Sequence, residues 1–134
     1  QEPLLFYALP FRAGGHVLNL TRAQAGGQVT VAWTNSVLSM DMLSGVVVDG
    51  FIYGFDVRDF QTTTNRPTKG LFKCVELATG RERWASPLPG HASVLASGHR
   101  LLLLNETGVL IAAEASPATL ARFLTPPVLG RAAR

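Results

Sequence analysis

Cys74, three histidines and a scatter of carboxylates are the side chains that could do chemistry in this chain. A lone cysteine forms neither an internal disulfide nor a cysteine-rich metal site. His16, His91 and His99 lack the spacing of metal ligands, and the sequence contains no Gly-x-Ser-x-Gly turn, His-Glu-x-x-His motif or phosphate-binding glycine loop. We therefore predict no catalytic residue and no metal site.

The surroundings of these residues favour structural roles. Glu76 and Glu114 occupy equivalent positions in two similar segments, so we expect them to pair with backbone amides or neighbouring arginines. Cys74 corresponds to Ala112, which predicts a small buried residue. His91 and His99 flank turns and are expected to be solvent-exposed.

The similar segments form an internal repeat. The first comprises Val48–Tyr53, Leu71–Gly80 and Trp84, and the second comprises Ala96–Leu101, Val109–Pro117 and Phe123. The first copy is longer, and its excess lies between Asp56 and Gly70. Short apolar runs that repeat at this period, with turn residues between them, are typical of stacked four-stranded sheets.

Composition supports a packed β-domain. Hydrophobic residues make up 47% of the 134 residues and charged residues 16%, and no apolar run is long enough for a membrane-spanning helix. The net charge is +3, but the arginines and lysines are scattered, so we predict no nucleic-acid partner.

Period-two patterns and turn residues predict the strands. In the strand 28–33, Val29, Val31 and Trp33 are expected to share one face. The segment 116–123 could alternatively form a short helix, because Ser-Pro is a helix-start signal. The predicted strands are 4–9, 16–21, 28–33, 45–48, 51–56, 71–77, 83–86, 93–96, 100–104, 109–115 and 120–124.

Several residues of the first copy resemble a known repeat. The strand ending in Asp49-Gly50, the Phe51–Asp56 strand and the Ala78-Thr79-Gly80 turn followed by Trp84 resemble the repeat of the pyrroloquinoline-quinone-like (quinoprotein-type) β-propeller family. The second copy departs from the pattern, with Ser116-Pro117 in place of Thr-Gly and Phe123 in place of the tryptophan.

The resemblance implies an all-β fold, an incomplete β-propeller of four-stranded antiparallel blades. We expect a single domain 1–134 of about three blades: a partial blade 1–36, complete blades 42–87 and 91–124, and the start of another at 125–134. Because propellers close with four to eight blades, we expect the open ends to expose apolar faces. The expected partners are proteins: the remaining blades of a longer chain, or another copy.

Two functions remain open. The first is a non-catalytic module for protein interaction or scaffolding, in the periplasm or secreted, as the resemblance implies. The alternative is a fragment of a quinone-dependent dehydrogenase whose catalytic residues lie outside this chain; only then would pyrroloquinoline quinone and calcium be cofactors. The polar stretch between Asp56 and Gly70 is the candidate contact loop, since binding residues are often on loops. Its candidate residues are Arg58, Asp59, Gln61, Arg66 and Lys69.

Overall fold

The computed structural model describes residues 2–10, 12–40, 43–59 and 69–123, which form an all-β molecule. A 3-10 helix spans Ala23–Ala25. The strands are β1 (Leu4–Leu9), β2 (Gly14–Asn19), β3 (Thr30–Asn35), β4 (Val46–Val48), β5 (Phe51–Asp59), β6 (Lys69–Glu76), β7 (Glu82–Ser86), β8 (Ala92–Ser97), β9 (Arg100–Asn105), β10 (Leu110–Glu114) and β11 (Ala121–Phe123).

The strands form three antiparallel sheets, each from consecutive strands. Sheet 1 has the order β1-β2-β3, sheet 2 the order β4-β5-β6-β7, and sheet 3 the order β8-β9-β10-β11. The predicted all-β class is confirmed. The helical alternative for 116–123 is wrong, because β11 pairs with β10 there. The predicted further blade, 125–134, lies outside the described residues.

The Asp49-Gly50 turn joins β4 to β5 as predicted. Val48 pairs with Phe51, and the two turn residues have φ values of 49° and 79°. Two successive positive φ values are typical of the tight hairpin turn whose twist matches that of the flanking strands.

In each of the three sheets, three residues on neighbouring strands pair side by side at equivalent positions. We call each such set the cross-strand triad. The triads are Phe6–Val17–Trp33 in sheet 1, Tyr53–Cys74–Trp84 in sheet 2 and Leu102–Ala112–Phe123 in sheet 3. The pairings confirm that Cys74 corresponds to Ala112 and that Phe123 takes the position of the tryptophan. They correct the first part of the repeat by one residue, because Tyr53 corresponds to Leu102 and not to Leu101. The first sheet therefore belongs to the repeat, and β1 corresponds to β5 and β9.

A β-bulge corrects one predicted face. Val17 pairs with Trp33, but the next residue, Leu18, pairs with Val31, so Ala32 is the extra residue. The bulge breaks the period-two alternation, and the shared face predicted for Val31 and Trp33 is wrong: Trp33 is half-buried, whereas Val31 is 64% exposed. The register of β6 and β7 shifts at the same position of the triad, after Cys74.

The polar stretch after Asp56 begins as strand. Strand β5 continues to Asp59 and β6 starts at Lys69, and these two residues pair with each other. Val57 is 6% exposed and pairs with Gly70. Strand pairing with an apolar contact thus extends both strands into the predicted loop.

Sheet 2 packs against both other sheets. Residues on one face of β5, including Tyr53 and Phe55, join the larger core cluster with β8 to β10 of sheet 3. Ile52, on the opposite face, joins a smaller cluster with Leu38, Met40 and half-buried residues of sheet 1. Among the described strands, backbones of different sheets come within 8 Å only where β4 and β5 meet β8.

No helix in the described part of the chain has the length and apolar character needed to cross a bilayer.

Candidate functional site

Of the five residues of the predicted contact loop, the structure describes Arg58, Asp59 and Lys69. Asp59 and Lys69 lie at the paired ends of β5 and β6. Gln61 and Arg66 fall outside the described residues. The Arg58 side chain is 39% exposed, and it turns back to form an ion pair with Asp56.

Asp56 is the centre of a buried charge network. Its side chain is fully buried, and Oδ1 accepts a 2.7 Å hydrogen bond from the Ser39 backbone N–H. Oδ2 contacts Arg58 Nε and lies 3.1 Å from Lys73 Nζ. A buried carboxylate needs such partners, because removing an ion from water costs several kcal/mol.

Lys73 completes the network. Its side chain is 5% exposed, and Nζ lies 3.1 Å from Asp56, 2.9 Å from Glu82 Oε2 and 2.8 Å from the backbone carbonyl oxygen of Val37. An ammonium has three N–H donors, and three oxygen atoms lie within 3.1 Å of this one. Lys73 therefore joins β5, β6, β7 and the segment between β3 and β4.

Ser39 and Arg58 connect this network to sheet 1. Ser39 Oγ accepts a 3.0 Å hydrogen bond from the Gly14 N–H, and the Arg12 side chain donates to the Arg58 carbonyl oxygen at 2.8 Å. Ser39, Asp56 and Lys73 are buried. These hydrogen bonds and ion pairs hold sheet 1 to sheet 2.

Cys74 and Tyr53 form a second buried pair, within the sheet 2 triad. Burial raises the pKa of the Cys74 thiol to about 11, and burial likewise raises the pKa of Tyr53. The thiolate is the nucleophilic form of cysteine, so at neutral pH Cys74 is a protonated, unreactive core residue. The prediction of a small buried residue is confirmed.

The histidines occupy different environments. His99 Nδ1 lies 2.7 Å from Asp49 Oδ2, and both side chains are largely exposed, as predicted for His99. The neighbouring open groove has a volume of about 480 Å³ and is lined by Ser97–Arg100 and Glu114. His91 is instead half-buried, and its ring lies 4.9 Å from that of Phe55, because the start of β8 packs against β5.

Glu76 accepts a 2.7 Å hydrogen bond from the Thr79 hydroxyl. It thus stabilises the turn after β6, although through a hydroxyl instead of the predicted amide or arginine. No group of three or more His, Cys, Asp or Glu side chains suited to a metal ion occurs among the described residues.

The outer faces of sheets 1 and 3 are apolar and exposed. Leu5, Tyr7 and Leu9 of β1 are 49%, 41% and 41% exposed. On sheet 3, Leu95 and Leu102, which pair across β8 and β9, are 69% and 36% exposed. Apolar ends were expected of an open stack of sheets, and these two faces are its candidate interaction surfaces.

Comparison with family models, curated proteins and solved structures found no match to this chain.

Proposed function

We propose that this chain is a non-catalytic segment of a β-propeller and acts as a protein-interaction or scaffold module. Further sheets of the same type, from a longer chain or another copy, would cover its outer faces. The observation that carries the proposal is the recurrence of one cross-strand triad in three successive sheets.

Equivalent residues of the triad identify equivalent faces of sheets 2 and 3. Tyr53 of sheet 2 is buried against sheet 3, and its equivalent in sheet 3, Leu102, lies on that sheet's exposed outer face. The outer face of sheet 3 is thus the repeat equivalent of a face that is buried inside the stack. A further sheet would cover it as sheet 3 covers sheet 2.

The inter-sheet geometry supports a radial arrangement. Of the described strands in sheets 2 and 3, the first strands β4 and β8 approach closely, whereas the last strands β7 and β11 do not. Trp84 bridges the wider side, donating its indole N–H to the Ser116 carbonyl oxygen at 2.8 Å. Sheets that are close at one edge and splayed at the other are the wedges from which a propeller is built.

The proposed interaction surface is tested by placing charged side chains on the outer face of sheet 3. A Leu95→Lys/Leu102→Lys variant should lower concentration-dependent association in sedimentation velocity and light scattering, because exposed apolar patches drive association. Leu88→Lys is the matched control, since Leu88 is 49% exposed but lies in the turn between β7 and β8. A wild-type chain that stays monomeric up to about millimolar concentration would contradict the proposed surface.

The proposal that the chain is non-catalytic is tested separately. Adding pyrroloquinoline quinone and calcium should give no dye-linked oxidation of alcohols above that of a heat-denatured control. Sustained turnover would favour the dehydrogenase alternative.

A further inference from the structure

Each sheet has two faces that the repeat distinguishes. The front face carries the first residue of the cross-strand triad, which is Phe6, Tyr53 or Leu102. Because successive residues of a strand point to opposite faces, the back face carries the preceding residue, which is Leu5, Ile52 or Leu101.

The two junctions between the described sheets both join a front face to a back face. Phe6 of sheet 1 packs on the cluster that contains Ile52 of sheet 2. Tyr53 of sheet 2 belongs to the cluster that contains Leu101 of sheet 3. A front face and a back face are therefore the two complementary halves of one kind of junction, which this chain forms twice.

The back face of sheet 1 is apolar like a junction, but it is exposed. Leu5 pairs with Leu18, and Leu18 pairs with Val31, so the three residues form a row across the sheet. Leu5 is 49% exposed and Val31 is 64% exposed. The equivalents of Leu5 and Leu18 in sheet 2 are Ile52 and Val75, which are fully buried.

The front face of sheet 3 shows the same difference. Leu102 and Leu104 are 36% and 41% exposed, whereas their equivalents in sheet 2, Tyr53 and Phe55, are 1% and 3% exposed. The molecule thus exposes one apolar back face and one apolar front face. Together these are the two halves of its own repeated junction.

We propose that the back face of sheet 1 packs on the front face of sheet 3 in a second copy of this chain, so that molecules associate head to tail. A second copy is the occupant because each molecule carries the matching half of the junction. Front-to-front pairing, which a symmetric dimer through sheet 3 would need, occurs in neither described junction. The contact is heterologous, since it joins two different surfaces. The inference deepens the proposed interaction function and rests on it.

The junction between molecules should be weaker than those within the chain. Trp33 and Trp84 each donate an indole N–H across a junction. Sheet 3 has Phe123 at the equivalent position, and phenylalanine has no N–H to donate. Association should therefore be reversible and depend on protein concentration.

The test uses two variants of the chain, each with one face blocked. Leu5→Lys/Val31→Lys alters the back face of sheet 1, and Leu95→Lys/Leu102→Lys alters the front face of sheet 3. All four leucine and valine side chains are exposed, so circular dichroism should show an unchanged fold. Every head-to-tail contact needs both faces, so each variant alone should self-associate at least about tenfold more weakly than the wild type, because the contact would bury an unpaired ammonium.

Mixing the two variants is the decisive measurement. Each variant retains the face that the other has lost, so an equimolar mixture should form a 1:1 complex in sedimentation velocity and light scattering. Leu88→Lys is again the matched control, and it should associate as the wild type does.

Two results would overturn the inference. If Leu5→Lys/Val31→Lys alone associated as strongly as the wild type, the back face of sheet 1 would not take part. If the mixture stayed monomeric while the wild type associated, the two faces would not meet. In both cases the proposed interaction function stands, whereas a wild type that is monomeric at millimolar concentration contradicts the function and the inference together.

Discussion

At the scale of single residues, the charge network around Asp56 is the least replaceable feature. Asp56 is fully buried and Lys73 almost so, and each relies on the other for charge compensation. Glu82 differs, because it meets the same ammonium group from a side chain that is 39% exposed. Because Lys73 is buried and Glu82 is partly exposed, replacing Lys73 should destabilise the fold more than replacing Glu82.

Lys73→Met should lower the free energy of unfolding by about 3 to 5 kcal/mol, because it leaves a buried carboxylate with only part of its compensation. Glu82→Gln should cost about 1 kcal/mol or less, as expected for a solvent-screened pair. Urea denaturation followed by tryptophan fluorescence measures both values. Equal costs would show that burial does not govern the network.

Cys74 makes stability depend on pH. Its pKa rises from 9.0 to about 11 on folding, because burial disfavours the thiolate. This contribution is fully present below pH 9 and is lost as the pH rises toward 11, since the unfolded thiol releases its proton first. By pH 10 the loss should be about 1 kcal/mol.

The matched variant is Cys74→Ala, because alanine occupies the equivalent position at Ala112. Urea denaturation at several pH values between 8 and 10 should show a shallower decline for this variant. Tyr53, whose pKa is raised by burial and also by Cys74, is present in both proteins. Parallel curves would exclude the thiol as the source of the pH dependence.

At the scale of elements, each tryptophan fastens its own sheet to the next. The Trp33 indole N–H donates to the Leu77 carbonyl oxygen at 2.8 Å, and Trp84 donates to Ser116 at the same distance. Both acceptors lie in the turn that follows the third strand of the neighbouring sheet. Gly80, in the turn of sheet 2, lies against two side chains of β3: a Cβ there would be 2.5 Å from Asn35 Nδ2 and 2.8 Å from Trp33 Cδ2.

Gly80→Ala should therefore destabilise sheet packing as well as the turn. Gly80 has a φ of 74°, and the control Gly50 has a φ of 79° with no atom within 4 Å of an added Cβ. Gly80→Ala and Gly50→Ala should each lower the free energy of unfolding by about 1 kcal/mol, because alanine is strained in the left-handed backbone conformation. Gly80→Ala should cost about 1 to 3 kcal/mol more, for overpacking against Asn35 and Trp33. Thermal denaturation of both variants checks the difference, and equal melting temperatures would contradict close packing of β3 against this turn.

The sequence predicts these elements where local chemistry is decisive. The Asp49-Gly50 hairpin and the equivalence of Trp84 and Phe123 follow from turn propensity and repetition. The position of Trp33 relative to Val31 does not, because a bulge is set by pairing with β2. The extension of β5 into a polar stretch likewise depends on Val57, which the fold buries.

The candidate site was harder to predict. Loop composition pointed to residues around Arg58, whereas the charge network depends on contacts between distant segments: Ser39, Asp56 and Lys73 meet only in the folded chain. One signal was present, a lysine within the apolar run Leu71–Val75.

At the scale of the whole molecule, the two sheet interfaces differ in strength. Sheets 2 and 3 share the larger of the core clusters formed by described residues, with Phe72 and Leu103 fully buried. Sheet 1 packs on the smaller cluster, which contains Leu38 and Ile52, and is held also by the Asp56 network. In stacked sheets, stability is close to a sum of sheet and interface contributions, so sheet 1 should open first.

Native-state hydrogen exchange should accordingly give lower opening free energies for β2 than for β6 and β9. Leu38→Ala and Leu101→Ala each delete a fully buried leucine, which costs about 2 to 5 kcal/mol. Leu38→Ala should lower protection mainly in β2, whereas Leu101→Ala should lower it in β6 and β9. If each variant lowered protection equally in all three strands, the molecule would unfold as one unit, and sheet 1 would be as firmly held as sheet 3.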